Sequence, residues 1–143
     1  MTHNDVFEAC REEVDRVLPN DIEPTNENLA DLVICEAIIN ETLRLYPSAP
    51  FFGRYCIREH TIGRENQLRI PIGTTILPVT YPPLAIDPRN CIGQNFALLE
   101  AKIILAMFVQ RCNFEMIPGQ KILPDFKITM RTKYGLLARI SKR

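Results

Sequence analysis

Net charge is the first thing this chain lacks. Seventeen Lys and Arg balance seventeen Asp and Glu across 143 residues. A chain so balanced exerts no electrostatic pull on nucleic acid or on an anionic membrane. It also has no long apolar run. The longest, Ile103 to Val109, is seven residues, far short of the roughly 18 that a membrane span needs. No signal-peptide pattern opens the chain, so the expectation is a chain with no leader and no membrane segment. The five cysteines, Cys10, Cys35, Cys56, Cys91 and Cys112, contain no C-x-x-C pair and are widely spaced. An odd, scattered set reads as reduced thiols in a reducing compartment, not as a disulfide frame. His3 and His60 stand far from each other and from Cys91, which argues against zinc. His60, between Glu59 and Thr61, reads as a surface loop residue. There are no internal repeats and no low-complexity segments.

What is present suits one domain with one core, at 46% hydrophobic and 24% charged residues. A first helix is expected at about Asn4 to Leu18, capped from Thr2. Val6, Cys10, Val14 and Val17 form its buried stripe, and Glu8, Arg11, Glu12, Glu13, Asp15 and Arg16 its solvated face. Pro19-Asn20-Asp21 ends it, and Thr25 or Asn26 starts a short turn through Asp31. A second long helix is expected from about Leu32 to Leu45. It is so apolar that it should be buried. Glu41 and Arg44 stand out on it at i and i+3, where they can pair. Two readings are open: a surface ion pair, or a buried pair that fixes core geometry and is costly to break on one side.

From Pro50 to Tyr81 the texture turns to short β runs, at Phe52 to Ile57, Leu68 to Ile72 and Thr74 to Thr80. Arg54 in the first of these reads as a solvent-facing strand arginine on burial habits alone. A third long helix is expected from about Gln94 to Arg111, apolar all round over Ile103–Val109 and so placed in a core. Strands at Asn113 to Ile117 and Asp125 to Lys133, a turn at Tyr134-Gly135 and a closing hairpin strand at Leu136 to Ile140 follow. The fold class is α+β, with buried helices and short strands and hairpins.

The stretch that organises the rest is Pro88-Arg89-Asn90-Cys91-Ile92-Gly93-Gln94-Asn95-Phe96. Most cysteines are small buried hydrophobes, and that reading stays open for Cys91. Its surroundings offer another. The thiol stands at the mouth of a helix, where unpaired N–H groups and the helix dipole favour a thiolate. Arg89 precedes it by two residues, and Gly93 follows by two and lets backbone pass close to a flat ligand. One sulfur is too few for a structural zinc site of about four protein ligands. It suits heme iron, for which porphyrin fills four positions and the protein supplies a thiolate. A redox-sensing thiol is a third option, weakened by the lack of a nearby resolving cysteine.

Arg-Asn-Cys-Ile-Gly-Gln-Asn-Phe-Ala-Leu-Leu-Glu-Ala-Lys, residues 89–102, closely resembles the heme-binding loop and following helix of the cytochrome P-450 family, the heme-thiolate monooxygenases. Glu41-Thr42-Leu43-Arg44, followed by Leu45-Tyr46-Pro47, resembles that family's Glu-x-x-Arg helix. The resemblance runs over nearly the whole chain and corresponds to the C-terminal portion of a family member. It implies heme b as cofactor, with Cys91 as the iron ligand and cofactor contacts from Arg89, Arg54, Gly93 and Ala97. Arg54 and Arg89 would face heme propionates, which a guanidinium suits. Glu41 and Arg44 would be structural. The implied activity is insertion of one oxygen atom from O₂ into a lipophilic organic substrate, with electrons from an NADPH-dependent reductase. The parent enzyme would sit on the endoplasmic-reticulum membrane, facing the cytosol.

The chain also departs from the family pattern. Leu84 stands where members show Phe and Asp87 where they show Gly, a residue chosen for a tight bend. Tyr81 runs directly into Pro82-Pro83-Leu84 where a longer segment intervenes in the family. The expectation is a single incomplete domain over 1–143 with an apparent internal deletion near 81–84. The membrane anchor, most of the substrate pocket and the oxygen-activating helix are expected to be missing, so no catalytic residue is assigned. The alternative is a truncated, non-catalytic fragment that keeps the motifs without binding heme.

Overall fold

The computed structural model describes residues 3–51, 53–65, 67–77, 91–127 and 129–143. Its frame is three long helices, and the residues that pack them follow the 3.6-residue period. Helix α1 is Asn4–Val17. A single 3-10 turn, Pro19–Asp21, follows, with Asn20 and Asp21 both at positive φ, a region that Asn and Asp tolerate better than most residues. Helix α2 is Asn26–Asp31, opened by a capping box between Thr25 and Asn28. Helix α3 is Val33–Leu45 and helix α4 is Gln94–Arg111. The core gathers Cys10, Val14 and Leu18 from α1 and its exit, Leu29 and Leu32 around α2, Cys35 from α3, and Ala106 and Val109 from α4.

Three polar side chains lock these helices together. Glu13 was expected on the solvated face of α1 and is instead only 4% exposed. Its carboxylate accepts hydrogen bonds from the backbone N–H of Ile34 at 2.8 Å and of Cys35 at 2.9 Å. These belong to the second and third residues of α3, whose own cap position, Leu32, has no side chain able to bond them. Glu13 thus caps α3 from across the core and satisfies two donors the helix leaves unpaired. Lys102, 8% exposed, donates to the carbonyl of Leu29 at 2.8 Å and to Glu36 at 2.6 Å. It therefore ties α4 to the end of α2 and to α3. Gln110 donates to the carbonyls of Leu18 and Ile22, each at 3.0 Å, and so holds the exit of α1.

The strands pair as two nested sets of antiparallel ribbons. Strand β1 (Arg54–Tyr55) pairs with β4 (Thr75–Ile76), and between them β2 (His60–Ile62) pairs with β3 (Leu68–Ile70). Gly73, at φ +86°, makes the turn into β4 and donates its N–H to the carbonyl of Cys56 at 2.9 Å. At the C-terminus β5 (Cys112–Met116) pairs with β8 (Ala138–Lys142), enclosing the β6 (Pro124–Phe126) and β7 (Met130–Thr132) pair. The architecture is α+β.

Several expectations are corrected here. His60 opens strand β2 instead of lying in a loop. The single strand expected at Asp125 to Lys133 is a hairpin. The last strand closes on β5, back across the inner hairpin. The β1 and β4 pairing is shorter than the runs expected around it, and residues 78–80 of the third run lie outside the described residues. Helix α3 is not buried all round: Cys35 is its one buried residue, while Val33, Leu43 and Leu45 are exposed. On α4, Ile104 and Phe108 are exposed while Lys102, Ala106 and Val109 are buried. Each helix presents one face to its partners here, and much of its other apolar surface stays exposed, although the Phe108 ring lies 5.9 Å from that of Phe114. Among those residues no helix is long and apolar enough to cross a membrane.

Candidate cofactor site

Helix α4 opens without a side-chain cap. Gly93 occupies the cap position at φ −90°, ψ 5°, a conformation open to any residue. The N–H of Gln94 bonds the carbonyl of Cys91 at 3.1 Å, and the N–H of Ala97 bonds that of Gly93 at 2.9 Å. These two bonds wind the chain from Cys91 into the helix. No acidic residue occupies the first turn, so no side-chain charge there offsets the positive end of the helix dipole.

Cys91 is exposed; it is not a packed hydrophobe. A Cβ placed on Gly93 would stand 3.9 Å from the Cys91 sulfur. A glycine therefore leaves open a space beside the sulfur that any side chain would fill. Ile92 is fully exposed and Phe96 is 71% exposed, with Leu99 uncovered one turn on. Ala97 lies about one turn beyond Gly93 on the same face. A reachable sulfur, a cleared strip of backbone and exposed apolar side chains thus gather at the entry and first turns of α4. That donor set fits a flat, apolar, metal-centred group better than it fits a small hydrated ion.

The remaining candidates fall elsewhere. Arg54 lies on the β1–β4 ribbon, half-buried and in register opposite Ile76. Its Nη1 donates to the carbonyl of Gly53 at 3.3 Å. Arg89, Leu84, Asp87 and the junction near 81–84 lie outside the described residues.

Glu41 and Arg44 do form a two-point ion pair, with Nε and Nη2 each 2.6 Å from a carboxylate oxygen. The Arg44 hydrogen bonds hold the Glu41 carboxyl below the usual carboxylate range. The pair is not buried: the two side chains are 57% and 47% exposed. Arg44 lies about 180° round α3 from the buried Cys35, which turns it away from the core. Glu13 and Lys102, which do sit in the core, were not picked out from the sequence. Their signal is positional: Glu13 is three residues past Cys10 and beside Val14, and Lys102 is four before Ala106. Both occupy the apolar stripe of their helix.

A sequence model of the family described as Cytochrome P450 matches residues 1–84 and 87–138. The chain belongs to the cytochrome P450 family. Its cytochrome P450 relatives include "Probable cytochrome P450 4ac1" of Drosophila melanogaster, 31% identical over 99% of this chain and 34% of that protein. A "Cytokinin hydroxylase" of Arabidopsis thaliana is 32% identical over 95% of this chain and 32% of its own length. "Cytochrome P450 3A41" of Mus musculus is 29% identical over 95% and 32% respectively. The chain thus spans about a third of the length of these relatives. Cytochrome P450 proteins are oxidoreductases that use heme b, and the family assignment and the open sulfur at the mouth of α4 point to the same group.

Proposed function

We propose that this chain binds heme b through the Cys91 thiolate and forms the cysteine-ligand portion of a heme-thiolate monooxygenase. The observation that carries the reading is the exposed Cys91 sulfur at the uncapped end of α4, with a glycine clearing the space beside it. In this arrangement the Cys91 sulfur stands just before the N-terminus of α4, whose first turn carries no acidic side chain. Gly93 and Ala97 keep the near face of the site low, and Phe96 and Ile92 offer apolar contact to a flat ring. Arg89 is the better placed of two arginines to meet a carboxylate of the cofactor, being two residues from the sulfur; Arg54 is the second. Heme, when held there, supplies the redox chemistry by which one atom of O₂ enters a lipophilic substrate, with electrons from an NADPH-dependent reductase. Glu41 and Arg44 do no chemistry and serve structure. The working place of such an enzyme is the cytosolic face of the endoplasmic-reticulum membrane.

A second reading has its own support. The domain over 1–143 is incomplete, with a segment missing near 81–84. The alignment with the Drosophila protein runs over 176 positions although the chain has 143 residues, and the family match breaks between residues 84 and 87. Loss of a segment directly before the cysteine loop favours a fragment that keeps the motifs and holds no heme. On either reading the chain alone does not turn over substrate.

Titration of the purified chain with hemin separates the two. The first predicts a saturable Soret shift at one equivalent that Cys91→Ala weakens. The second predicts no difference between the chain and the variant. Sustained product formation with NADPH and reductase would overturn the expectation of no turnover.

A further inference from the structure

Two cysteines far from the cofactor site face each other inside the core. Cys10 lies on α1 and Cys35 is the third residue of α3, and both are buried. Their sulfurs stand 3.5 Å apart. They are held there by Glu13, one turn along α1 from Cys10, whose Oε2 accepts the backbone N–H of Cys35 at 2.9 Å. One carboxylate therefore fixes the position of α3 at the residue that carries the second thiol. We propose that Cys10 and Cys35 form an oxidation site, in which a hydroperoxide converts the pair to a disulfide joining α1 to α3.

The geometry suits the step. A disulfide needs its sulfurs about 2.05 Å apart, so closure asks for a movement of about 1.5 Å between side chains that already point at each other. The two thiols share a hydrogen bond in which either sulfur can donate; with Cys35 as donor it holds the Cys10 thiol below its ordinary value, against burial and the nearby Glu13 carboxylate. The same contact, with burial, pushes Cys35 up. With Cys35 as the donor, Cys10 is the nucleophile and Cys35 the resolving thiol; with the proton on Cys10 the roles exchange and the same disulfide forms. The Cys10 thiolate attacks one oxygen of hydrogen peroxide, the O–O bond breaks, and the hydroxide released takes up a proton to leave as water. Cys35 sulfur then attacks the sulfenic sulfur of Cys10 and displaces the second oxygen as water. The two thiols lose two hydrogens and two electrons, and the peroxide gains both.

The site stands apart from the heme reading, because Cys91 precedes α4 and takes no part. It also differs from chance pairing in an unfolded chain. Cys35 and Cys56, and likewise Cys91 and Cys112, are closer in sequence than Cys10 and Cys35, so loop closure alone does not select this pair.

Peptide mapping tests it. Trypsin places each of the five cysteines on a separate peptide, with Cys10 on 1–11 and Cys35 on 17–44. The intact chain is treated with hydrogen peroxide in native buffer and in concentrated urea, free thiols are alkylated, and linked peptides are quantified by mass spectrometry with and without dithiothreitol. The 10–35 link is expected to make up most of the disulfide in native buffer, to lose two hydrogens relative to its parts, and to vanish on reduction. In urea it is expected to fall to about a tenth, the share of one pairing among ten. Cys10 and Cys35 recovered as thiols after full oxidation of Cys91 would overturn the proposal. So would the same spread of pairings with and without urea.

Discussion

The two ends of helix α4 are made of the same kind of residue and meet opposite fates. The C-terminal half places Ala106 and Val109 in the core, with Lys102 bonded at its start. The entry and first turns leave Ile92, Phe96 and Leu99 in the open beyond Cys91. Apolarity records that a surface is built to be covered, and only the partner decides whether it is. The C-terminal half meets α1 and α3 through Ala106 and Val109, while its Ile104 and Phe108 stay exposed. Toward the N-terminus Leu98 and Leu99 line a groove with Ile39 of α3, while Ile92 and Phe96 stand open; in the heme reading their cover is the cofactor.

If that contrast is right, stability belongs to one half and ligand binding to the other. The largest stability effect is expected at Leu32, fully buried among the three helices. Leu32→Ala should lower the unfolding free energy by about 2–5 kcal/mol, read as a fall in the urea midpoint. Next is Glu13→Ala, which strands the buried N–H of Cys35 and the half-buried N–H of Ile34 at about 1–3 kcal/mol. Glu13→Gln keeps one acceptor oxygen and should recover part of that loss. A smaller effect is expected from pH. Arg143 hydrogen-bonds Asp15 and holds its carboxyl below the ordinary value of 3.8, while Arg143 itself stays charged. A lowered folded-state value adds stability that is present above the unfolded value and is lost as pH falls through the folded one. Acid titration of the chain should therefore show a loss below about pH 4 that Asp15→Asn flattens, by under about 1 kcal/mol at so exposed a pair. The smallest stability effect is expected at Phe96. Phe96→Ser should leave the midpoint within about ±0.5 kcal/mol while weakening hemin uptake. A large loss of stability at Phe96 would erase the contrast between the two halves.

Much of this was legible in the sequence for a physical reason. Helices repeat every 3.6 residues, and α4 runs from Gln94 to Arg111, the bounds its apolar pattern gives. α1 and α3 end within a residue of their expected limits. Strand pairing was less legible, because two- and three-residue strands carry too few side chains to show a period. The return of β8 to β5 is a long-range choice that no local pattern encodes. Burial was misjudged in both directions. Glu13 reads as solvated by type and is buried because α3 needs its oxygens. For Glu41 and Arg44 the apolar company on the helix left a buried pair open beside a surface one, and the pair is exposed, with Arg44 on the side of α3 opposite Cys35. At the candidate site, local chemistry singles out Cys91 and Gly93, and the structure places them at the entry to α4. What stands around Cys91 was not, because that depends on which surfaces the chain covers.

The most direct measurement is the spectrum of the hemin-loaded chain, reduced and exposed to carbon monoxide, beside that of Cys91→Ala. The account predicts a red-shifted Soret band of the thiolate type in the chain and its loss in the variant. The same band in both, or in neither, would contradict the assignment of Cys91 as the iron ligand.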